Sequence, residues 1–242
     1  NLDKKIDEKT IKYNSLINKQ KEFISILSHE IKWPIASCIF QVDCLLDDIN
    51  EWEYNEKYLK KELDLLNGQL LKSWELINKL FAVQKVDTDK MKLFLEKINI
   101  NSLLLDELEI YKKSEPQIHF FSMFDNKIWF IDLDKVHFKQ VINNLINNSI
   151  KFADKNNPKI KIGISWNNDN ITIKIEDNWN WIKNIDITKI FKKYETWNSW
   201  SIWIWMWLFL CKSIVELHWG TISAEKSKSL WWACFIIKLT NK

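Results

Sequence analysis

Glycine is nearly missing from this chain. Its 242 residues include 3 Gly and 15 Trp. At a usual frequency of about 7%, a chain of this length would carry roughly 17 glycines. Glycine supplies positive-φ turns and close backbone approaches at the lowest steric cost, so three are too few for a fold with many turns. The tryptophans make up the shortfall almost one for one, and they cluster. In "SWSIWIWMWLFLCKSIVELHWG", Ser199 to Gly220, Trp200, Trp203, Trp205 and Trp207 fall within eight positions. These positions behave as glycine positions.

The remaining composition is that of a globular chain of one to two domains, with 46% apolar and 28% charged residues. A net charge of +3 is too small to imply nucleic acid or an acidic membrane as a partner. All 35 basic residues are Lys, which excludes any chemistry built on a bidentate guanidinium clamp. Cys38, Cys44, Cys211 and Cys234 form no C-x-x-C pair and sit among apolar neighbours, the pattern of free thiols in a reducing compartment. No signal-peptide pattern is seen. The longest apolar run, Ile202 to Cys211, falls short of the about 18 residues of a membrane span. The expectation is a soluble, cytoplasmic chain, with membrane attachment only through a region upstream of it.

Residues 1–20 are charged, with sparse apolar positions, and suggest a polar helix or coiled-coil linker. Then Leu27, Ile31, Ile35, Cys38, Val42, Leu45 and Ile49 recur at spacings of three and four, one apolar seam along a long helix. After a polar break at "NEWEYNE", a second stripe runs Leu59, Leu63, Leu66, Leu70, Ile77, Leu80. Two helices with a short connection make an antiparallel hairpin over residues 21–88. A hairpin cannot bury so long a seam alone, so a homodimeric four-helix bundle is expected. From residue 89 to 242 the texture changes. "KIKIGISW" and "NITIKIED" alternate with period two and read as paired strands. "HFKQVINNLINNSIKFA" and "MWLFLCKSIVELH" read as apolar-faced helices, and "WWACFIIKL" as a last strand. The fold class is α+β, a helical hairpin followed by an α/β sandwich.

Two stretches point to chemistry. In "FISILSHEIKWPI", Phe23 to Ile35, His29 lies off the apolar stripe, is followed by Glu30, and precedes a mid-helix Pro34. An outward imidazole beside a carboxylate suits a nucleophile whose opposite ring nitrogen is held by the acid. The same residues also suit a solvated surface histidine. In "NNLINNSIKF", Asn143 to Phe152, Asn144 and Asn148 fall one helical turn apart and share a face.

Taken in order, these segments resemble sensor histidine kinases. "FISILSHEIKWPI" is similar to that family's phospho-acceptor box, and "NNLINNSIKF" to its asparagine box. "EDNWNWI" is similar to its Asp-x-Gly-x-Gly-Ile loop, and "IFKKY" to its Phe box. "WIWMWLFLCKSIVELHWG" is similar to Gly-x-Gly-x-Gly-Leu followed by a helix ending in His-Gly-Gly. The resemblance runs from Phe23 to the end of the chain. It implies ATP-dependent autophosphorylation of His29, assisted by Glu30, and transfer of the phosphoryl group to an aspartate of a response regulator. It implies an ATP site with Asn144, Asn148, Lys151, Asp177, Phe191 and Leu208, together with the backbone at 179, 181, 203, 205 and 207. Asn148 would ligate Mg²⁺, Lys151 would contact phosphate, Asp177 would accept from the adenine amino group, and residues 183–207 would form a lid.

One departure recurs. Trp179, Trp181, Trp203, Trp205, Trp207 and Trp219 stand where the family has glycine. Trp231 and Trp232 occupy a usual Gly-rich turn, and Trp52 the helix–helix turn. Random decay scatters substitutions; it does not exchange one residue type for one other at motif after motif. The pattern implies a gene that reads UGA as glycine, translated here with a table that reads it as tryptophan. As written, indoles along a phosphate-wrapping loop would fill the nucleotide cleft. Two other classes fit parts of the chain: a related ATPase of the chaperone or mismatch-repair kind, and a non-catalytic dimeric adaptor with a dead nucleotide site. Four residues after His29, family members that dephosphorylate their partner carry Thr or Asn. Trp33 stands there, which implies weak phosphatase activity. His119, His137 and His218 show no metal-ligand spacing and read as structural.

Overall fold

The computed structural model describes the backbone of residues 2–50, 55–87, 91–124, 129–167, 170–178, 187, 190–192, 201–226 and 233–240. The chain divides into two compact units, residues 1–88 and 89–242.

The first unit is a hairpin of α1 (Leu2–Asn50) and α2 (Glu56–Asp87). α1 runs unbroken through the polar first 20 residues and through Pro34. Asn55 starts α2 by accepting from the Tyr58 N–H at 2.8 Å, a side-chain N-cap. Three contacts set the antiparallel pairing. Tyr58 Oη donates to Asp48 at 2.8 Å, Gln41 Nε2 to Glu62 at 2.8 Å, and Cys38 Sγ to Gln69 at 3.4 Å. Cys38 and Leu45 are buried between the helices, whereas Ile35, Val42, Leu63 and Leu70 from the same two stripes remain exposed. Trp52 lies outside the described residues.

The second unit is a layer of helices on a sheet. A two-stranded antiparallel ribbon pairs β1 (Glu96–Asn99) with β3 (Phe130–Leu133). The main sheet has the order β2-β4-β5-β7-β6, from β2 (His119–Met123), β4 (Lys159–Asn167), β5 (Asn170–Asp177), β6 (Thr221–Lys226) and β7 (Ala233–Thr240). β2 and β4 run parallel and the other pairs antiparallel. The three helices of this unit are α3 (Ile100–Ser114), α4 (Lys135–Phe152) and α5 (Ser201–Leu217).

The expected pairing of "KIKIGISW" with "NITIKIED" is the β4–β5 hairpin, with Ile162 opposite Ile175. Its alternation decides the core: Ile160, Ile162, Ile164, Ile171, Ile173 and Ile175 are all buried. Each such side chain contributes on the order of 1.5–3 kcal/mol of burial. α4 answers with Phe138, Val141, Ile142, Leu145 and Ile146, the stripe visible in the sequence.

One expectation is corrected. The second apolar helix was expected to start at Met206, after a glycine-type loop, but α5 begins at Ser201 and takes in residues 203, 205 and 207. Glycine is the poorest helix former after proline, while Trp and Ile cost less. Three indoles in place of three glycines therefore tilt this segment towards helix, by on the order of 1 kcal/mol in propensity.

α5 ends in a Schellman motif. Gly220 N–H donates to Val215 O at 2.9 Å and Trp219 N–H to Glu216 O at 3.0 Å. Trp219 takes φ 55°, the single positive-φ residue other than glycine among those described. Among the described residues, no helix is long and apolar enough to cross a membrane.

Candidate functional site

Period two along β5 does more than fill the core. Ile171, Ile173 and Ile175 point inward, so Asp177 does too. The result is a carboxylate that is 1% exposed at the end of a core strand. A buried carboxylate without partners is costly, and α4 supplies one: Ser149 Oγ donates to Asp177 Oδ2 at 2.9 Å. Asn178, the next residue, fastens the strand end. Its Oδ1 accepts from the Lys159 N–H at 3.0 Å and its Nδ2 donates to Asn157 O at 2.7 Å. Asp177 thus has its place set from both sides, through its side chain and through its neighbour.

The same turn of α4 carries Asn148, which is buried, and its Nδ2 has no hydrogen-bond partner. Leaving such a group unpaired costs about 1–3 kcal/mol, which is tolerated where a ligand completes the set. Asn144, one turn earlier, is half-buried. It faces Cys211 of α5, whose thiol burial pushes up to about 12 against the opposing pull of the Asn144 side chain. Lys151 is exposed in the last turn of α4, its Nζ 5.4 Å from the centre of the Phe152 ring. Phe191 and Leu208 are buried and Trp207 is half-buried.

Asn144, Asn148 and Lys151 thus share one face of α4, and Asn148 adjoins the Ser149 that meets Asp177. Trp179 and Trp181 lie outside the described residues, as do the side chains of Trp203 and Trp205. In the first unit, His29 is exposed on α1, and the Glu30 side chain lies outside the described set. Trp33, one turn on, is 71% exposed.

Two residues of the site went unnoticed in the sequence, Ser149 and Asn178. Each adjoins a predicted residue, Asn148 and Asp177, but nothing local shows where its side chain goes.

α4 itself is held by a latch. Asp134 caps its N-terminus, accepting from the His137 N–H at 3.0 Å and the Phe94 N–H at 2.8 Å. Burial pushes the Asp134 carboxyl up, yet these backbone hydrogen bonds and the neighbouring His137 ring win and hold it at about 2. His218, at the end of α5, accepts from the Asp134 N–H through Nε2 at 2.9 Å. Its Nδ1 lies 2.7 Å from Ile214 O, which identifies Nδ1 as the protonated nitrogen. Burial holds the His218 imidazole below the usual histidine range despite that bond. On the far side of α4, Lys139 pairs with buried Glu107 of α3 at 2.5 Å.

Among the described residues, no group of three or more His, Cys, Asp and Glu is placed to hold a metal ion. A cation at Asn148 would draw its other ligands from phosphate oxygens and water, as Mg²⁺ does in nucleotide sites.

A family profile described as histidine kinase-, DNA gyrase B-, and HSP90-like ATPase matches residues 133–241, which hold α4, β5 and α5. The matched stretch lies within the second unit. Over both units the chain is a relative of sensor histidine kinases. It is 26% identical over 234 residues to the sensor protein SrrB of Staphylococcus aureus, covering 93% of this chain and 39% of SrrB. It is 24% identical over 178 residues to the signal transduction histidine-protein kinase ArlS of Staphylococcus haemolyticus, covering 73% of this chain and 38% of ArlS. The chain thus spans about two-fifths of the length of these relatives. Among solved structures, the histidine kinase AdeS of Acinetobacter baumannii superposes with TM-score 0.66 at 20% identity, over 88% of this chain and 98% of AdeS. The histidine kinase ThkA, in complex with the response regulator protein TrrA, gives TM-score 0.63 at 22% identity, over 91% of this chain and 61% of that one. The fold is that of histidine kinase cores.

Proposed function

We propose that this chain binds Mg·ATP in its second unit, phosphorylates itself on His29, and passes the phosphoryl group to an aspartate of a response-regulator partner. The observation that carries this reading is the buried Asp177 carboxylate beside the Asn144–Asn148 face of α4, within the stretch that matches the ATPase family. A buried acceptor suits the amino group of adenine. The Asn148 Oδ1 suits a cation whose charge is matched mainly by phosphates, and its orphaned Nδ2 suits a phosphate oxygen as acceptor.

In the transfer, an imidazole nitrogen of His29 bonds to the γ-phosphorus as the β–γ bridging P–O bond breaks, and ADP leaves. The second ring nitrogen then gives up its proton, towards Glu30 or water. As in phosphoryl transfer generally, most of the catalysis is positioning and charge neutralisation, which falls to Asn148, its cation and Lys151. The exposed remainder of the hairpin seam, Ile35, Val42, Leu63 and Leu70, supports a second copy of the chain as the partner that completes a four-helix bundle. The complex of ThkA with its response regulator supports the phosphotransfer step.

The test is incubation with γ-labelled ATP and Mg²⁺. Acid-labile, base-stable label that disappears in His29→Gln supports the reading, and label unaffected by that substitution sinks it.

A second reading is favoured by one observation. The segment expected to wrap phosphates is helical from Ser201 onward, so a chain that truly carries indoles there would be a dimeric adaptor with a dead nucleotide site. Replacing Trp179, Trp181, Trp203, Trp205 and Trp207 together by glycine separates the two. Labelling that appears only in the replaced chain assigns the kinase to the recoded protein and the adaptor to the literal one.

A further inference from the structure

Serines inside helices usually turn their hydroxyl back on the carbonyl four residues earlier. Among the described residues, Ser28 does so to Ile24 O at 2.8 Å, Ser73 to Gln69 O at 2.9 Å, and Ser213 to Phe209 O at 3.0 Å. Ser149 does not. It sits in α4, is 0% exposed, and sends its proton across to β5, onto Asp177 Oδ2. A hydroxyl has one proton to give, so this bond replaces the local one.

We infer that Ser149 is a positioning residue that makes Asp177 a selective reader of a ligand amino group. The inference rests on the nucleotide reading given above.

The physics runs through the carboxylate. A carboxylate that accepts a hydrogen bond from the Ser149 hydroxyl keeps its remaining lone pairs for a donor, and that bond restrains its plane. Such a group rewards a ligand that offers an N–H and penalises one that does not, because the second leaves a buried acceptor underpaired. Asn178 cannot take over this task. Its side chain is already engaged with Lys159 and Asn157, and it acts on the backbone rather than on the carboxylate. With the hydroxyl removed, the carboxylate loses one donor and one restraint on the direction of its plane. The lost restraint weakens its demand for an amino group while leaving the apolar walls of the site unaltered.

The experiment uses the full chain with glycine in place of Trp179, Trp181, Trp203, Trp205 and Trp207. Equilibrium binding is measured with Mg²⁺ for two probes: ATP, and purine riboside triphosphate, which lacks the 6-amino group. The parent should prefer ATP by about a hundredfold, the cost of leaving a buried acceptor underpaired. In Ser149→Ala, ATP should bind about tenfold more weakly while the deamino nucleotide binds as before, so the preference shrinks by the same factor. Ser149→Thr, which keeps the hydroxyl, should restore it.

Equal weakening of both probes would show a merely structural serine and overturn the inference, as would an unchanged preference in Ser149→Ala. A parent that binds neither probe overturns the nucleotide reading and this inference together. A parent that binds ATP while Ser149→Ala leaves the ratio alone overturns this inference only.

Discussion

Position 219 offers a test of the glycine pattern that uses no family motif. Trp219 closes α5 at φ 55°, in the left-handed region, and is 56% exposed. A residue with a Cβ held there strains against the following carbonyl by roughly 1–2 kcal/mol. Comparing Trp219→Gly with the parent alone would mix this strain with lost indole contacts. The cleaner pair is Trp219→Gly against Trp219→Ala, since both remove the indole and differ only in the Cβ. Glycine recovers the strain but forfeits about 0.4–1 kcal/mol through its looser unfolded state. The expected net advantage of glycine over alanine is therefore about 1 kcal/mol. For a domain of this size that corresponds to roughly 2–4 °C in Tm. Urea and thermal unfolding followed by far-UV circular dichroism would read it. If the alanine variant is as stable as the glycine variant, the Schellman geometry is not worth what its hydrogen bonds suggest, and the structural case for glycine at 219 fails.

The next residue should behave in the opposite way. A Cβ built on Gly220 lies 2.7 Å from the Lys238 carbonyl oxygen and 2.8 Å from Leu239 Cδ2, so Gly220→Ala should cost about 1–3 kcal/mol by overpacking, read from the same unfolding curves. Asp134 should make the second unit acid-sensitive. Its carboxyl is held at about 2 in the folded state against about 3.9 unfolded, so roughly 2 kcal/mol of stability, fully present above pH 4, is lost as pH falls through 2, and Asp134→Asn should flatten that limb of a pH–stability curve. His218 adds a second limb. With its folded pKa depressed, its contribution is complete above about pH 6.5 and declines below it, as the unfolded chain takes the proton more readily; His218→Gln should remove that limb. Peptide mass spectrometry of the protein from its native cells should find glycine masses at 203, 205 and 207, and intact tryptophan at all three would end the recoding proposal. A purified phosphorylated regulator should lose phosphate slowly in the presence of this chain without ATP, because neither Trp33 nor a glycine there can place a water; rapid turnover would refute that.

Some of this molecule can be read along the chain. Alternating isoleucines announced the β4–β5 hairpin. Helical spacing announced α4 and the two hairpin stripes. The signal was weaker for β1, β2, β3, β6 and α3, none of which stands out in the sequence as an element. β2 is short and pairs in parallel with a strand that begins 36 residues beyond its own end, as His119 opposite Lys159. No local periodicity encodes such a partner. α5 was placed five residues too late, because glycine-like positions were read as loop while the residues actually written there favour helix.

Residue periodicity, then, determined by itself which faces are apolar and where two long helices fold back, while the roles of Asp177, Asn144 and Asn148 came from a resemblance of motifs. Periodicity is a property of neighbours along the chain, so it stops at the edge of each element. Tertiary packing alone decided that Ser149 donates its hydrogen bond to Asp177 and that His218 receives the Asp134 N–H from 84 residues away. Each of those depends on how far a side chain must reach across a packed layer and on which backbone groups that layer leaves without partners.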